Sequence, residues 1–362
     1  MKKVFIAATK QNDGKTTVSL GLIRNFQEHF KKVGFIKPIG QRYLEEEGQR
    51  IDEDSVLIEE VCKIKAGLKD MSPIAVEKGF TEKYIVKPNK EAITKEISAS
   101  FKRVSQRQDL LVIEGTGHAG VGSVFDHSNA TVARLLGSKV ILISSGGVGR
   151  PIDEIILNKA LFDKEGVKLL GVIINKVLPE KYDKISHLVR KGLERKGIKV
   201  LGVIPFTPSL SYPTIEQIVE ETGFDVLCGK EYIKNHVSRV VIGAMRPANA
   251  LKYIVDDSLL ITPGDSEDMI MAALSCFRDE DKDRIKLNGM ILSGGITPDK
   301  PLMDMLAKSG ISVLLAKQDT YTVSSSVHDL TVKIRPEDTG KIRTVEKLIN
   351  EYVDIDTIVR GM

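Results

Sequence analysis

Short apolar runs alternate with amphipathic stretches along most of the chain. The runs are almost continuous in Val, Ile and Leu, which is typical of parallel strands covered on both faces. In the first part of the chain they predict strands at Lys3–Ala8, Val33–Lys37, Leu110–Glu114, Lys139–Ser144, Leu169–Asn175 and Val200–Pro205. The stretches between them predict helices at Thr16–Phe30, Asp54–Lys65, Glu91–Gln106, Asn129–Leu136, Ile152–Lys164 and Lys181–Lys196. This alternation predicts a doubly wound α/β layer, in which ligands bind at the carboxyl ends of the strands.

A second α/β pattern follows a boundary that we place near Gly223–Asn235. It predicts strands at Val237–Met245, Ser258–Thr262, Leu287–Leu292 and Ile311–Ala316, and helices at Ala248–Ile254, Glu267–Cys276 and Pro301–Lys308. A last helix is predicted at Ile342–Val353. One hydrophobic core rarely grows beyond ~250–300 residues, so a chain of this length should hold two domains. We expect an α/β domain at residues 1–225, a smaller α/β domain at 236–340 and a C-terminal helix within 341–362.

The amino-acid composition argues against several classes of protein. The chain is 42% hydrophobic and 28% charged, which suits a globular protein and excludes a disordered or collagen-like one. Its 53 basic residues are interleaved with 49 acidic ones and it has no tryptophan, which argues against nucleic-acid binding. The first apolar run is too short for a signal peptide, and no apolar stretch approaches the ~20 residues of a membrane span. We therefore expect a cytoplasmic protein whose Cys62, Cys228 and Cys276 are buried thiols.

The strongest chemical signal is a phosphate-binding loop between the first strand and the first helix. The segment Thr9–Thr17 reads TKQNDGKTT, so Gly14, Lys15 and Thr16 have the spacing of a GK[ST] loop. The usual GxxxxGK[ST] pattern is broken because Thr9 replaces its first glycine. The loop instead matches the variant KxxxGK[ST], in which an extra lysine, here Lys10, can reach a phosphate across a dimer interface. The alternative is a simple strand-to-helix turn. The candidate nucleotide-binding residues are Lys10, Gln11, Asn12, Asp13, Gly14, Lys15, Thr16 and Thr17.

Three charged residues lie where the predicted topology places a ligand. Glu114 ends an apolar strand beside a glycine-rich turn, and Lys37 ends the second strand. Asp54 opens a helix. Magnesium prefers hard oxygen ligands such as carboxylates, and a lysine can neutralise developing phosphate charge. For Glu114 and Lys37 the alternative is a solvated side chain at the rim of the sheet, and for Asp54 it is a helix cap.

Together these segments resemble the dethiobiotin synthetase family over about residues 1–225. The residues that match in order and spacing are Lys15, Thr16, Lys37, Pro38, Asp54, Glu114, Gly115 and Gly117. The resemblance implies that Thr16, Asp54 and Glu114 hold Mg²⁺, and that Lys15 and Lys37 contact phosphoryl oxygens of ATP. Lys15, Lys37 and Glu114 would then be the catalytic residues. By the same resemblance, Asn175 and Pro205 would contact the adenine.

A closer resemblance is to the non-catalytic N-terminal region of long bacterial phosphate acetyltransferases. It is carried by the segments Thr17–Gly21, Phe35–Gln41 and Met71–Ile74. In those proteins a DRTGG domain follows, and residues 237–335 resemble it through Ala244–Met245, Ile261–Asp265, Leu292–Gly295 and Asp319–Tyr321. The namesake tract is altered here to Gly264–Asp268. The acetyl-transferring domain is absent from this sequence, so acetyl transfer is not predicted.

Two functions from different classes remain. The first is a Mg²⁺–ATP-dependent enzyme, either a synthetase that activates a carboxylate or carbamate or a slow ATPase. The second is a nucleotide-sensing regulatory module that acts on a protein partner through the DRTGG-like domain, because Lys10, Gln11 and Asn12 replace loop residues common in the synthetases. The resemblance also implies a homodimer. The sequence contains no HExxH or GxSxG pattern, and the turn after its first strand lacks GxGxxG, which leaves zinc hydrolysis, serine esterase chemistry and dinucleotide binding unsupported.

Overall fold

The computed structural model describes residues 1–46, 48–275 and 287–362, so Cys276 lies outside the described residues. The chain forms two compact units. The first comprises Met1–Thr207 together with Ile334–Met362, and the second comprises Pro208–Lys333. The predicted boundary near Gly223–Asn235 therefore differs from the observed division.

The first unit is built on parallel strands separated by helices. Its strands up to residue 207 are β1 Lys2–Ala8, β2 Val33–Ile36, β3 Ile39–Gly40, β4 Tyr43–Glu46, β5 Gln49–Asp52, β6 Ile74–Ala75, β7 Leu110–Glu114, β8 Lys139–Ser145, β9 Leu169–Val177 and β10 Val200–Pro205. Its helices are α1 Lys15–His29, α2 Glu53–Cys62, α3 Leu68–Met71, α4 Phe80–Val86, α5 Lys90–Ser105, α6 Asn129–Leu135, α7 Gly149–Lys164 and α8 Tyr182–Glu194.

Six of these strands form one parallel sheet in the order β10-β9-β8-β1-β7-β2. They are the six strands that the apolar runs predict, and the predicted parallel sheet is confirmed. The central strand is fully enclosed, since Val4 to Ala8 have no exposed surface. Neighbours β7 and β8 flank β1 on either side, so the segments after these three strands meet at one edge.

The second unit has its own sheet and core. Its elements are α9 Ile215–Thr222, β11 Asp225–Cys228, β12 Arg239–Ile242, α10 Pro247–Ala250, β13 Ser258–Pro263, α11 Glu267–Ser275, β14 Leu287–Ser293, α12 Lys300–Ala307, β15 Ser312–Leu315 and α13 Thr320–His328. The strand order is β11-β15-β14-β13-β12, with β11 antiparallel to β15 and the others parallel. Ile215 and Ile218 of α9 are buried in this core, which is why the unit begins before residue 225.

The end of the chain returns to the first unit as two helices, α14 Thr339–Tyr352 and α15 Ile355–Gly361, where one helix was predicted. Helix α14 packs against α1. Between the two helices, Val353 forms an antiparallel bridge with Gly202, and the N–H of Asp354 donates to the carbonyl of Leu201 at 2.8 Å. These bonds cover the outer edge of β10, which would otherwise present unpaired backbone groups.

Gly21 of α1 lies against α14. A Cβ at this position would fall 2.4 Å from Cγ1 of Ile349 and 2.9 Å from Cγ1 of Val345. We expect Gly21→Ala to lower the free energy of unfolding by about 1–3 kcal/mol, because overpacking outweighs the gain in helix propensity. Gly340→Ala in α14 is the matched control, since a Cβ there meets nothing within 4 Å. Equal or greater stability of Gly21→Ala in chemical denaturation would contradict this packing.

Of the cysteines predicted to be buried, Cys62 is buried, whereas Cys228 at the edge strand β11 is only half-buried. Cys62 is buried at the end of α2, and burial raises the pKa of its thiol to about 12. Cys228 is half-buried, and burial raises its pKa as well. Among the described helices, none combines the length and the apolar character needed to cross a bilayer.

Candidate functional site

The phosphate loop joins β1 to α1 at the carboxyl edge of the sheet. Its backbone turns through two left-handed residues, Asn12 with φ 63° and Gly14 with φ 89°. A Cβ at position 14 would lie 2.4 Å from Nδ2 of Asn175, so glycine is required by both conformation and space. Gly14 is also the N-cap of α1 and offers no side-chain acceptor to the first turn. The N–H groups of that turn are therefore suited to an anionic ligand.

The side chain of Asp13 stabilises the loop through hydrogen bonds with other residues of the same loop. Its carboxylate is buried and accepts hydrogen bonds from the hydroxyl of Thr9 at 2.7 Å and from the N–H of Lys10 at 3.0 Å. Burial raises the pKa of Asp13, while the bond from Thr9 opposes that change. The side chain of Asp13 thus turns back into the loop.

Two side chains at the end of β9 donate hydrogen bonds to backbone carbonyls of the phosphate loop. Asn175 donates from Nδ2 to the carbonyl of Asp13 at 2.9 Å, and Lys176 donates from Nζ to the carbonyl of Asn12 at 2.7 Å. The sequence pointed to Asn175 as an adenine contact and did not mark Lys176, although the two are adjacent. Pro205, the second expected adenine contact, is half-buried at the end of the neighbouring strand, opposite Val177.

Thr16 and Glu114 meet at the start of α1. The Thr16 hydroxyl donates to Oε1 of Glu114 at 3.2 Å, and Glu114 is fully buried. Burial raises the pKa of Glu114 to about 7, with a further increase from Asp54 and an opposing effect of Lys37. Lys15, in the same turn, has a pKa lowered by burial, an effect that the charge of Glu114 opposes. Thr17 follows in this turn and is partly exposed.

Lys37 is buried among three carboxylates. Its Nζ is ion-paired with Asp54, with Asp52 at 2.8 Å and more distantly with Glu114 at 3.9 Å. Burial opposes the charge of Lys37, but Asp54, Asp52 and Glu114 together outweigh it and raise the pKa of the ammonium. Asp52 was not marked by the sequence as a site residue. It caps α2 by accepting the N–H of Asp54 at 3.0 Å, and this positions both acids around one lysine.

The donor atoms at this cluster are compatible with magnesium. Oε2 of Glu114 and Oδ2 of Asp52 are buried without a hydrogen-bond partner, and three carboxylates face one ammonium, so a cation would offset the excess negative charge. Mg²⁺ commonly takes one or two carboxylates and keeps several waters. Nowhere in the described parts of the chain do three His, Cys, Asp or Glu side chains converge closely enough to hold a metal. Asp54 is ion-paired with Lys37, whereas the hydroxyl of Thr16 and Oε1 of Glu114 lie 3.2 Å apart.

The turn after β7 is held by a residue that the sequence did not mark. Asn129, at the start of α6, accepts the N–H of Thr116 at 3.0 Å and donates to the carbonyls of Thr116 and His118, each at 2.7 Å. This fixes the segment that follows Glu114. His118 itself is exposed, and its Nδ1 accepts the N–H of Gly120 at 3.2 Å, which is a loop role.

Lys10 and Gln11 form the outer part of the loop. Lys10 is partly exposed, and Gln11 is exposed with its Nε2 at 3.5 Å from Oε1 of Gln41.

In the second unit, Ser293 and Thr320 share a hydroxyl–hydroxyl hydrogen bond of 2.7 Å, and Asp319 caps α13. These groups act as turns and caps, as small polar residues commonly do.

Comparison with known proteins identifies both parts of the chain. A family model described as AAA domain (AAA_26) matches residues 2–214, and one described as DRTGG domain matches residues 217–330. The phosphate acetyltransferase of Pseudomonas putida is 25% identical over 98% of this chain and 51% of its own length. That of Nitrosomonas europaea is 22% identical over 99% of this chain and 52% of its own length. The chain therefore spans about half the length of these relatives, and the expected resemblance is confirmed.

A solved structure with partial similarity is the MinC:MinD cell division protein complex of Aquifex aeolicus. It is 18% identical and covers 58% of this chain and 84% of the matched chain, with a TM-score of 0.36.

Proposed function

The chain belongs to the AAA domain family, and from this premise we propose that its first unit binds Mg²⁺–ATP and activates a carboxylate or carbamate by γ-phosphoryl transfer. That unit has the P-loop NTPase fold, and residues 217–330 form the DRTGG domain. The observation that carries the proposal is the uncapped start of α1 at Gly14, with Thr16 bonded to the buried Glu114 at 3.2 Å.

The proposed roles follow from charge and position. The N–H groups of the first turn of α1 and the ammonium of Lys15 would bind the phosphates. Thr16 and Glu114, with Asp54 as a further oxygen donor, would hold Mg²⁺, which when bound neutralises charge on the phosphoryl oxygens. Lys37 is paired with Asp52, Asp54 and, at 3.9 Å, Glu114, and its positive charge would offset the negative charge of a nearby phosphoryl group. The adenine would lie toward Pro205, since Nδ2 of Asn175 already donates to the carbonyl of Asp13 at 2.9 Å.

Titration calorimetry with Mg²⁺–ATP and Mg²⁺–GTP tests this proposal most directly. We expect saturable binding of ATP that weakens when Mg²⁺ is chelated. A following screen of small diamines and dicarboxylates for ATP-dependent phosphate release would identify the acceptor. Absence of binding for both nucleotides, with the protein folded, would exclude the proposed function.

A second candidate is a nucleotide-sensing module that acts through the DRTGG domain. It is favoured by the match to that domain and by Lys10, Gln11 and Asn12, which replace the loop residues that usually meet the synthetase substrate. On this proposal, ATP binds without appreciable turnover and changes association between copies, where Lys10 would reach the neighbouring site. Sedimentation that is identical with ATP, with ADP and without nucleotide would argue against it.

A further inference from the structure

The end of β9 has an unusual backbone beside the phosphate loop. Lys176 adopts the left-handed conformation, with φ 58°, inside a strand. A lysine in this region costs conformational energy, which is retained where the surrounding structure requires it. The side chain of Asn175 accepts the N–H of Lys176 at 2.9 Å and so stabilises this turn of the backbone.

Space for the turn is provided by the segment after β8. Gly146 lies against the β9 backbone, where a Cβ would fall 2.7 Å from Cα of Val177 and 2.8 Å from the carbonyl oxygen of Lys176. This close approach accounts for one glycine of the SSGGVGR segment at 144–150, which the proposed function left without a role.

We propose that Asn175 and Lys176, here called the β9 clamp, are positioning residues that hold the phosphate loop in its anion-accepting form. This inference rests on the proposed binding of nucleotide at that loop. The clamp holds the carbonyl oxygens of Asp13 and Asn12 toward β9. Peptide units are planar and trans, so the N–H groups of Gly14 and Asp13 point the opposite way. An anion on the side away from β9 then meets N–H groups instead of carbonyl oxygens.

Inorganic tripolyphosphate has no base. Its binding therefore distinguishes the proposed clamp from a direct contact between these residues and the adenine of ATP. Calorimetry would compare Mg²⁺–tripolyphosphate and Mg²⁺–ATP on the wild type, Asn175→Ala and Lys176→Gly. Each variant is expected to weaken both ligands by the same factor, about three- to tenfold for Asn175→Ala and about tenfold or more for Lys176→Gly. The double variant should lose less than the product of the two, because both residues act on one loop.

Controls separate this effect from unfolding and from loss of charge. Glycine fits the left-handed position, so Lys176→Gly should keep a Tm no lower than that of the wild type while its binding weakens. Lys184→Met removes an exposed lysine of α8 and should leave binding unchanged. Weaker ATP binding with unchanged tripolyphosphate binding would overturn the clamp and assign these residues to the base.

Amide hydrogen exchange in the ligand-free protein gives an independent result. Residues 9–14 are expected to exchange faster in both clamp variants than in the wild type, because the loop loses its tether to β9. Unchanged exchange would overturn the clamp whatever the ligand does. Wild-type protein that binds neither ligand would instead exclude the proposed function, and the exchange rates would still decide the inference.

Discussion

Replacing Lys15 with alanine is expected to lower ATP turnover by about a hundred- to a thousandfold, because a preorganised positive charge near the transferring phosphoryl group is lost. ATP affinity should also fall, by about ten- to a hundredfold, as expected for a lost charge-assisted hydrogen bond. Release of phosphate and calorimetric titration measure the two effects separately.

Glu114→Gln complements Lys15→Ala because it tests the proposed Mg²⁺ ligand instead of the proposed phosphate ligand. It keeps the volume of a fully buried side chain that accepts from Thr16 but removes its charge. We expect a comparable loss of turnover and a smaller loss of ATP affinity, together with a weaker dependence of binding on Mg²⁺. Turnover like that of the wild type in both variants would eliminate the enzyme proposal, whereas intact binding without any turnover in the wild type would favour the sensing module.

Lys37→Met is expected to destabilise the first unit by about 3–5 kcal/mol, since it leaves buried carboxylates without their cation. Asp52, Asp54 and Glu114 are each at most 6% exposed, so water cannot replace the lost ammonium. Guanidinium denaturation, combined with hydrogen exchange of β1 and β7, would measure the loss in this unit. Lys31→Met is the matched control, because Lys31 is exposed.

A double variant tests the electrostatic origin of that loss. Asp52→Asn in the Lys37→Met background removes one of the uncompensated charges and should recover part of the stability. In the wild-type background the same change removes an ion pair at 2.8 Å and should destabilise. If Asp52→Asn has the same sign in both backgrounds, the destabilisation comes from packing and the charge argument is wrong.

The strands of the main sheet could be predicted from the sequence because they are short, nearly continuous apolar runs. The elements that the sequence missed are small or polar, such as the β3–β6 pair and the hairpin of β4 and β5, and they lack a clear hydrophobic period. Residues 215–222 lie within the predicted first domain, where no helix was predicted, yet they form α9, whose Ile215 and Ile218 are buried in the second core. Linear position does not indicate which core an apolar face will join.

Candidate site residues were predicted where a motif fixes both residue type and spacing. Lys15, Thr16 and Glu114 were predicted in this way, and Thr16 and Glu114 are hydrogen-bonded to each other. Asp52 and Lys176 were missed because nothing in the local sequence distinguishes a supporting charge from an ordinary one. Both are adjacent or nearly adjacent to predicted residues, Asp54 and Asn175, and that proximity was the available signal.

By itself the amino-acid sequence determined the strand–helix alternation, the glycine at the start of α1 and the identity of the charged side chains. These features depend on local periodicity and on conformational preferences within a few residues. The tertiary structure alone decided that Lys37 lies among three acids, that β9 supports the phosphate loop and that residues 334–362 complete the first unit. These are contacts between residues far apart in the chain, and their partners are selected by packing and charge compensation across the whole fold.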